Sequence, residues 1–336
     1  MNKNNDPKNP VSQIIVEHAH WHDAIDSCIH HILHAPDIGI VALVGPTGVG
    51  KTQAIEEITR RIMEAQADEL KIDTERMPVV AAEVATSDRR SSIWPATFKL
   101  LLRAMKEPFA DGRVASKRMT CTNRGDQARF DFETAIEHRR PYVVILDEFH
   151  HLIGSDADPV AISQIKILKS LANRTKTTFL IVGTQDMLRA LSKNGESGRR
   201  TKVVPFPRYR GTFQHRESLR EVLEAYQRQL GGRLGVKLST DLDYVLESTV
   251  GCVGLIRNWL VEAWQICAAC GESTITRAHL DEARLGADTL TQIFDEARAC
   301  ERFGEDEPHK RKNFAALIAA DGAELDEAES AESTEQ

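Results

Sequence analysis

No stretch of the 336-residue chain approaches the roughly 20 apolar residues that a bilayer-spanning helix needs, so a membrane protein built on such helices is not expected. The opening residues, MNKNNDPKNP, lack the apolar core of a secretory signal, and a reducing cytosol is the expected location. The six scattered cysteines are then expected to be free thiols rather than a disulfide frame. Basic residues are also short: 43 Lys and Arg face 50 Asp and Glu, a formal net charge of −7 that at first argues against a nucleic-acid partner. The shortfall is local. Asp321 to Gln336 holds seven acids and no base, so the rest of the chain is balanced, 43 against 43. That tail is also poor in the aromatic and branched residues that offset ordering entropy, and disorder is expected beyond about Ala320.

The body has 41% hydrophobic and 28% charged residues, the composition of a globular protein long enough for one large domain or two ordinary ones. Near-continuous apolar runs at Ile38 to Val44, Pro78 to Val84, Tyr142 to Leu146 and Thr178 to Val182 read as strands buried on both faces. Helical spacing occupies Trp21 to Leu33, Thr52 to Ala67, Ile93 to Met105, Asp126 to His138 and Ile162 to Ala172. The alternation predicts an α/β fold with a parallel sheet sandwiched by helices. After about Arg210 the strand-like runs stop, and five helical patterns predict a small helical domain: Arg216 to Leu230, Thr240 to Ser248, Leu255 to Cys270, Arg277 to Leu285 and Thr289 to Cys300. The expected division is an N-terminal extension (1–20, its first twelve residues loose), an α/β domain (21–210), a helical lid (211–302) and a C-terminal segment (303–336).

Gly45-Pro46-Thr47-Gly48-Val49-Gly50-Lys51-Thr52 fits GxxxxGK[ST] at every fixed position, after a buried strand and before a helix. Glycines let the backbone turn its N–H groups inward, the helix N-terminus adds positive potential, and a polyphosphate is cradled between them. Lys51 is expected to reach the β and γ oxygens and the Thr52 hydroxyl to ligate Mg2+. Asp147 ends a second buried strand and is the expected Mg2+ partner of Thr52, with Glu148 as the base that polarises the attacking water. A GTPase should carry an NKxD segment late in the sheet, and none is present; a small-molecule kinase should carry an arginine-bearing lid and an acceptor pocket, and the helical C-terminal region offers no obvious version of either. ATP is the expected nucleotide, and an Mg-dependent ATPase the expected activity.

With these parts in this order the chain resembles an AAA+ ATPase, and more narrowly the TniB/TnsC/MuB group of transposition ATPases, over roughly Trp21 to Gly286. The runs DEFHHLIGS (Asp147 to Ser155), LKSLANRTKTTFLIVGTQDML (Leu168 to Leu188) and GRR (Gly198 to Arg200) are similar to that group in content and spacing. The resemblance implies a sensor-1 role for Thr184 and an arginine finger at Arg199 or Arg200 that completes a neighbouring subunit's site. It also implies a sensor-2 role for Arg257 in Gly254-Leu255-Ile256-Arg257. It further implies a bacterial cytoplasmic homo-oligomer, a ring or helical filament on duplex DNA, with a DDE transposase and a TniQ-type target selector as partners. A helicase loader or replication initiator, and an ATP-switched scaffold that binds no DNA, are the competing readings.

Binding a duplex with a neutral body requires segregated charge. Gly112 to Gly125 carries Arg113, Lys117, Arg118 and Arg124, interleaved with Ser116, Thr120, Thr122 and Asn123, and no acid; it is the expected DNA-contacting segment. Ser197 to Arg216, also acid-free, is expected to serve assembly. The histidines at 18, 20, 22, 30, 31 and 34 are expected on a helix near the adenine end of the site rather than as metal ligands, and Cys267 and Cys270 as buried packing thiols.

Overall fold

The computed structural model describes residues 9–85, 93–107, 124–153, 159–192 and 200–302. The α/β half runs α1 (Ala19–His34), β1 (Ile40–Val44), α2 (Lys51–Ala65), α3 (Ala67–Ile72), β2 (Val79–Glu83), α4 (Ile93–Ala104) and α5 (Arg124–Arg139). It continues through β3 (Val143–Asp147), α6 (His150–Ile153), α7 (Pro159–Thr175), β4 (Thr178–Gly183), α8 (Asp186–Ser192) and β5 (Thr201–Pro205). Every ladder of the five-stranded sheet is parallel, in the order β2-β3-β4-β1-β5.

The central strands are apolar without alternation because both their faces are covered. Ile40, Ala42 and Val44 of β1 face a core shared with α4, α5, α7 and α8, while Val41 and Leu43 face the opposite core with α1 and α2. The outer strands depart from the sequence expectation. Pro78 to Val84 was expected to be buried throughout, yet β2 is an edge and Val80 alone of its five residues is buried. The fifth strand, β5, has no apolar run to announce it: Thr201 and Lys202 are not buried, and pairing with β1 alone makes it a strand.

The helical half comprises α9 (Phe213–Leu230), α10 (Leu242–Thr249), α11 (Val253–Ala269), α12 (Arg277–Glu282) and a last helix, α13, over residues 287–302. Leu219, Leu223, Val245, Ile256 and Leu260 form its own core. Residues 9–12, expected to be loose, are anchored there: Val11 is fully buried, and the buried Asn9 side chain donates from Nδ2 to the Val261 carbonyl at 3.1 Å. A buried amide needs such a partner, and Asn9 finds it only in the folded helical half. Among the described residues no helix is long and apolar enough to cross a membrane, and the five described cysteines are free thiols. Cys267 is buried as expected, whereas Cys270 is exposed, because α11 ends at Ala269 and Cys270 already belongs to its cap.

Candidate nucleotide site

The phosphate loop leaves the carboxyl end of β1 and opens α2. Gly48 and Gly50 hold φ of +77° and +115°, which a side-chain-bearing residue rarely adopts. The loop is tied to the sheet where the Gly45 N–H donates to the Gly183 carbonyl at 3.2 Å. It is tied to the helical half where the Leu255 N–H donates to the Gly48 carbonyl at 2.9 Å. Gly254 permits that approach, since a Cβ there would lie 2.5 Å from the Gly48 oxygen. Two of the four residues in the GxxR run are thus packed on the loop itself.

Lys51 is buried, and its Nζ donates to the carbonyls of Gly45 (2.9 Å) and Pro46 (3.0 Å). Burial pushes its ammonium below the ordinary lysine value, against the attraction of the Glu296, Glu148 and Asp147 carboxylates. Thr52, one residue into α2, is exposed. Asp147 ends β3 half-buried; burial raises its carboxyl above the usual aspartate value, and its Oδ1 accepts the Glu148 N–H at 2.9 Å. Glu148 sits at φ +52°, a left-handed backbone that costs a non-glycine residue about 1–3 kcal/mol and turns its side chain out of the strand direction. His150 Nδ1 lies 3.0 Å from Glu148 Oε2 without the alignment of a hydrogen bond. Burial holds the His150 imidazole below its ordinary value. Thr184 is buried directly after β4, one residue past the Gly183 carbonyl that receives the loop. The phosphate loop, Asp147, Glu148 and Thr184 are therefore gathered at the carboxyl ends of three adjacent strands, β1, β4 and β3, where open α/β sheets take ligands.

Arg200 stands at the other end of the sheet. Its carbonyl receives the Gly39 and Ile40 N–H groups at the start of β1, and its guanidinium bonds the Asn173 side chain. The length of β1, ~16 Å, separates it from its own loop. Arg257 lines a cleft beside the loop with Ile14, His18, Gly50, Gln53 and Tyr226, and its guanidinium bonds the Ser12 carbonyl. His18 is buried against the Tyr209 hydroxyl at 3.0 Å, and burial lowers its imidazole to about 3. The grouping of potential metal ligands found among the described residues is Glu148, His150 and His151, with one ligand atom of each within 4.8 Å of the others.

One expectation changes. Arg208, assigned to assembly, is buried within the chain, donating from Nε to Glu301 at 3.0 Å and from Nη1 to the Val250 carbonyl at 3.0 Å. Arg216 pairs with Asp243 at the surface, where such a pair is weak and leaves the guanidinium accessible. A guanidinium buried in an internal pair, as that of Arg208 is, does not also serve a partner. Arg113, Lys117, Arg118, Thr120 and Arg199 lie outside the described residues, as does the 303–336 segment, and Arg124 is the first residue of α5. One contact has no sequence signal at all: Glu296 of α13 accepts the Thr47 N–H at Oε2 and the Thr47 hydroxyl at Oε1, both at 3.2 Å. The grip of Thr47 on a carboxylate, with the turns at Gly48 and Gly50, fits a loop that holds a phosphate group.

The family model described as "Bacterial TniB protein" matches residues 14–211. The chain belongs to the TniB family. No curated protein matches at a significant level. Among solved structures, the Aeropyrum pernix ORC1 protein in complex with DNA is similar with a TM-score of 0.54 at 17% identity, covering 80% of this chain and 65% of that one. This chain thus spans slightly less than two thirds of the ORC1 chain's length. The Aeropyrum pernix ORC2 protein in its ADP form also superposes with a TM-score of 0.54 at 17% identity, covering 83% of this chain and 72% of that one. At such identity the likeness is one of fold. This TniB chain has the AAA+ P-loop ATPase fold, a parallel five-stranded sheet with flanking helices followed by a helical part, as the sequence predicts.

Proposed function

We propose that this TniB chain is an ATP-hydrolysing regulator of DNA transposition. It binds ATP with Mg2+, assembles as a ring or helical filament on duplex DNA, marks a target site and recruits or activates a DDE transposase, directed by a TniQ-type selector. The observation that carries this reading is the family match over residues 14–211, which includes the whole loop-and-carboxylate end of the sheet. The loop backbone from Gly45 to Gly50 and the Lys51 ammonium bind the β and γ phosphates. The Thr52 hydroxyl and the Asp147 carboxylate are the residues that would hold Mg2+, which supplies charge neutralisation on the phosphates when bound. Glu148 orients and deprotonates the attacking water, and Thr184 holds that water or the γ-phosphate from the adjoining strand end. The adenine sits in the cleft lined by Ile14, His18 and Tyr226, and Arg257, which lines the same cleft beside Gly50, serves as sensor 2 and touches the phosphates from the helical half.

An arginine at position 199 or 200 completes the site of a neighbouring subunit. Arg200 is a strand length away from its own phosphate loop, so a guanidinium there stabilises transition-state charge only across an interface, and turnover depends on assembly. For DNA, the acid-free Gly112 to Gly125 segment supplies the Lys and Arg that neutralise phosphates, with Arg113, Lys117, Arg118, Thr120 and Arg124 as contacts. The Aeropyrum pernix ORC1 relative in fold is itself in complex with DNA.

The test is co-sedimentation with duplex DNA in the presence of a non-hydrolysable ATP analogue, across a salt series. Wild type and Glu148→Gln should co-sediment alike, and the variant should turn ATP over at least about 100-fold more slowly. Lys117→Ala with Arg118→Ala should lose DNA affinity and retain nucleotide affinity. Absence of salt-sensitive DNA binding would reject the DNA role, and full activity in Glu148→Gln would remove Glu148 from its place.

A further inference from the structure

The contact between α13 and the phosphate loop rests on the nucleotide-site reading and adds regulation to it. Glu296 meets Thr47 at two points, through the backbone N–H and the hydroxyl. The N–H belongs to the loop whose backbone donors cradle phosphate, the hydroxyl stands beside it, and a carboxylate offers these donors an anionic partner with less charge than a phosphate. Among the charged groups around the Lys51 ammonium, Glu296 is the foremost attraction, ahead of Glu148 and Asp147. Lys51 itself is folded back onto the Gly45 and Pro46 carbonyls.

The remainder of α13 is held from both halves: Cys300 packs against the α/β core, Ala297 is buried, and the other contacts go to residues that follow the sheet. Leu290 and Ile293 pack on Val250, Cys252 and Leu255, in a cluster separate from the main cores. The Phe294 ring lies 5.1 Å from the Arg208 guanidinium, and Glu301 pairs with Arg208 at 3.0 Å. Residues 283–286, Ala-Arg-Leu-Gly, precede the helix and are not helical. Glu296, whose bonds to Thr47 are exposed, can therefore swing away while these contacts stay, or the N-terminal part of α13 can shift on this connection.

We propose that Glu296 is an intramolecular competitor for the nucleotide's phosphate: it occupies the Thr47 donors of the loop, and nucleotide binding must displace it, releasing α13 from the loop. A polyphosphate carries more charge than one carboxylate and meets more of the loop's donors, so it wins the exchange, but at reduced apparent affinity. If Glu296 is docked nine-tenths of the time, removing it tightens nucleotide binding about tenfold, since apparent affinity scales with the competent fraction.

The experiment titrates the full chain with a fluorescent ADP analogue, comparing wild type, Glu296→Gln, Glu296→Ala and Ile293→Asp, the last loosening the helix at its packing on Val250, Cys252 and Leu255 while keeping Glu296. Glu296→Ala and Ile293→Asp should each tighten binding about 5- to 10-fold, with Glu296→Gln between them and wild type. Equal affinity in wild type and Glu296→Ala would overturn the proposal and leave the nucleotide site standing. No binding by any of the four proteins would reject the nucleotide site itself. Hydrogen exchange supplies a second readout: adding ADP should speed exchange in residues 287–302 of wild type, and Glu296→Ala should exchange fast beforehand. Slower exchange on adding ADP would overturn the proposal, since α13 would then be clamped by nucleotide rather than released.

Discussion

In the α/β half, the groups around the phosphate loop stand on the loop or on the two neighbouring strand ends; in the helical half, those that touch the same loop lie more than 200 residues further along the chain. The first set is local chemistry, eight consecutive residues and a strand that ends in Asp147 and Glu148. The second set exists only because the fold returns α11 and α13 to the loop: the Leu255 N–H on the Gly48 carbonyl, Gly254 beside it, and Glu296 on Thr47. A loop held from both halves can report nucleotide to the helical half, which a loop held by the sheet alone cannot.

The largest effect that would break this comparison concerns Arg200, which stands at the far end of β1 from its own chain's phosphate loop. Arg200→Ala should lower ATP turnover by about 10³-fold or more while leaving nucleotide affinity intact. Mixing it with inactive Glu148→Gln should restore part of the activity, because in a mixed assembly some sites join an intact Glu148 to an intact Arg200. Full activity of Arg200→Ala on its own, or a mixture no more active than Arg200→Ala alone, would show that Arg200 contributes nothing across an interface.

A smaller effect tests the seam between the halves. Gly254→Ala would ordinarily favour a helix by about 1 kcal/mol. Here its Cβ meets the Gly48 oxygen at 2.5 Å, so the substitution should instead destabilise by about 1–3 kcal/mol and weaken nucleotide binding. A rise in melting temperature would show that α11 is not held on the loop.

The smallest effect is a pH dependence at the N-terminal seam. The His18 imidazole is lowered to about 3 by burial against Tyr209, so the folded protein keeps it neutral while the unfolded chain protonates near 6.5. The unfolded state then binds the extra proton, and stability falls as pH drops through 6.5 toward 3, by about 2 kcal/mol between pH 7 and 5. His18→Asn should flatten the melting temperature against pH in that window; an unchanged slope would place the acid sensitivity elsewhere.

Much of the site was legible because its chemistry is written consecutively. The apolar runs before Gly45 and Asp147 announce buried strands, and the phosphate-loop pattern follows from what a polyphosphate demands of a backbone. What escaped notice was polar or distant. The strand β5 is an edge with little to bury, so Thr201 and Lys202 carry no hydrophobic signal. Arg208 looked like a surface charge in an acid-free segment, and only the return of Glu301 and Val250 made it a buried pair. Glu296 is one acid among many in a helical pattern, with nothing in its neighbours to mark it.

By itself the sequence determined the fold class, the phosphate loop and the acidic strand end, because backbone curvature, burial on both faces and phosphate chemistry act over a few residues at a time. The tertiary structure alone decided which distant residues meet that loop and which arginines are already paired. Burial and partnership are properties of the packed whole: a guanidinium or a carboxylate acquires its role from what the fold brings within 3 Å of it, and no local pattern encodes that distance.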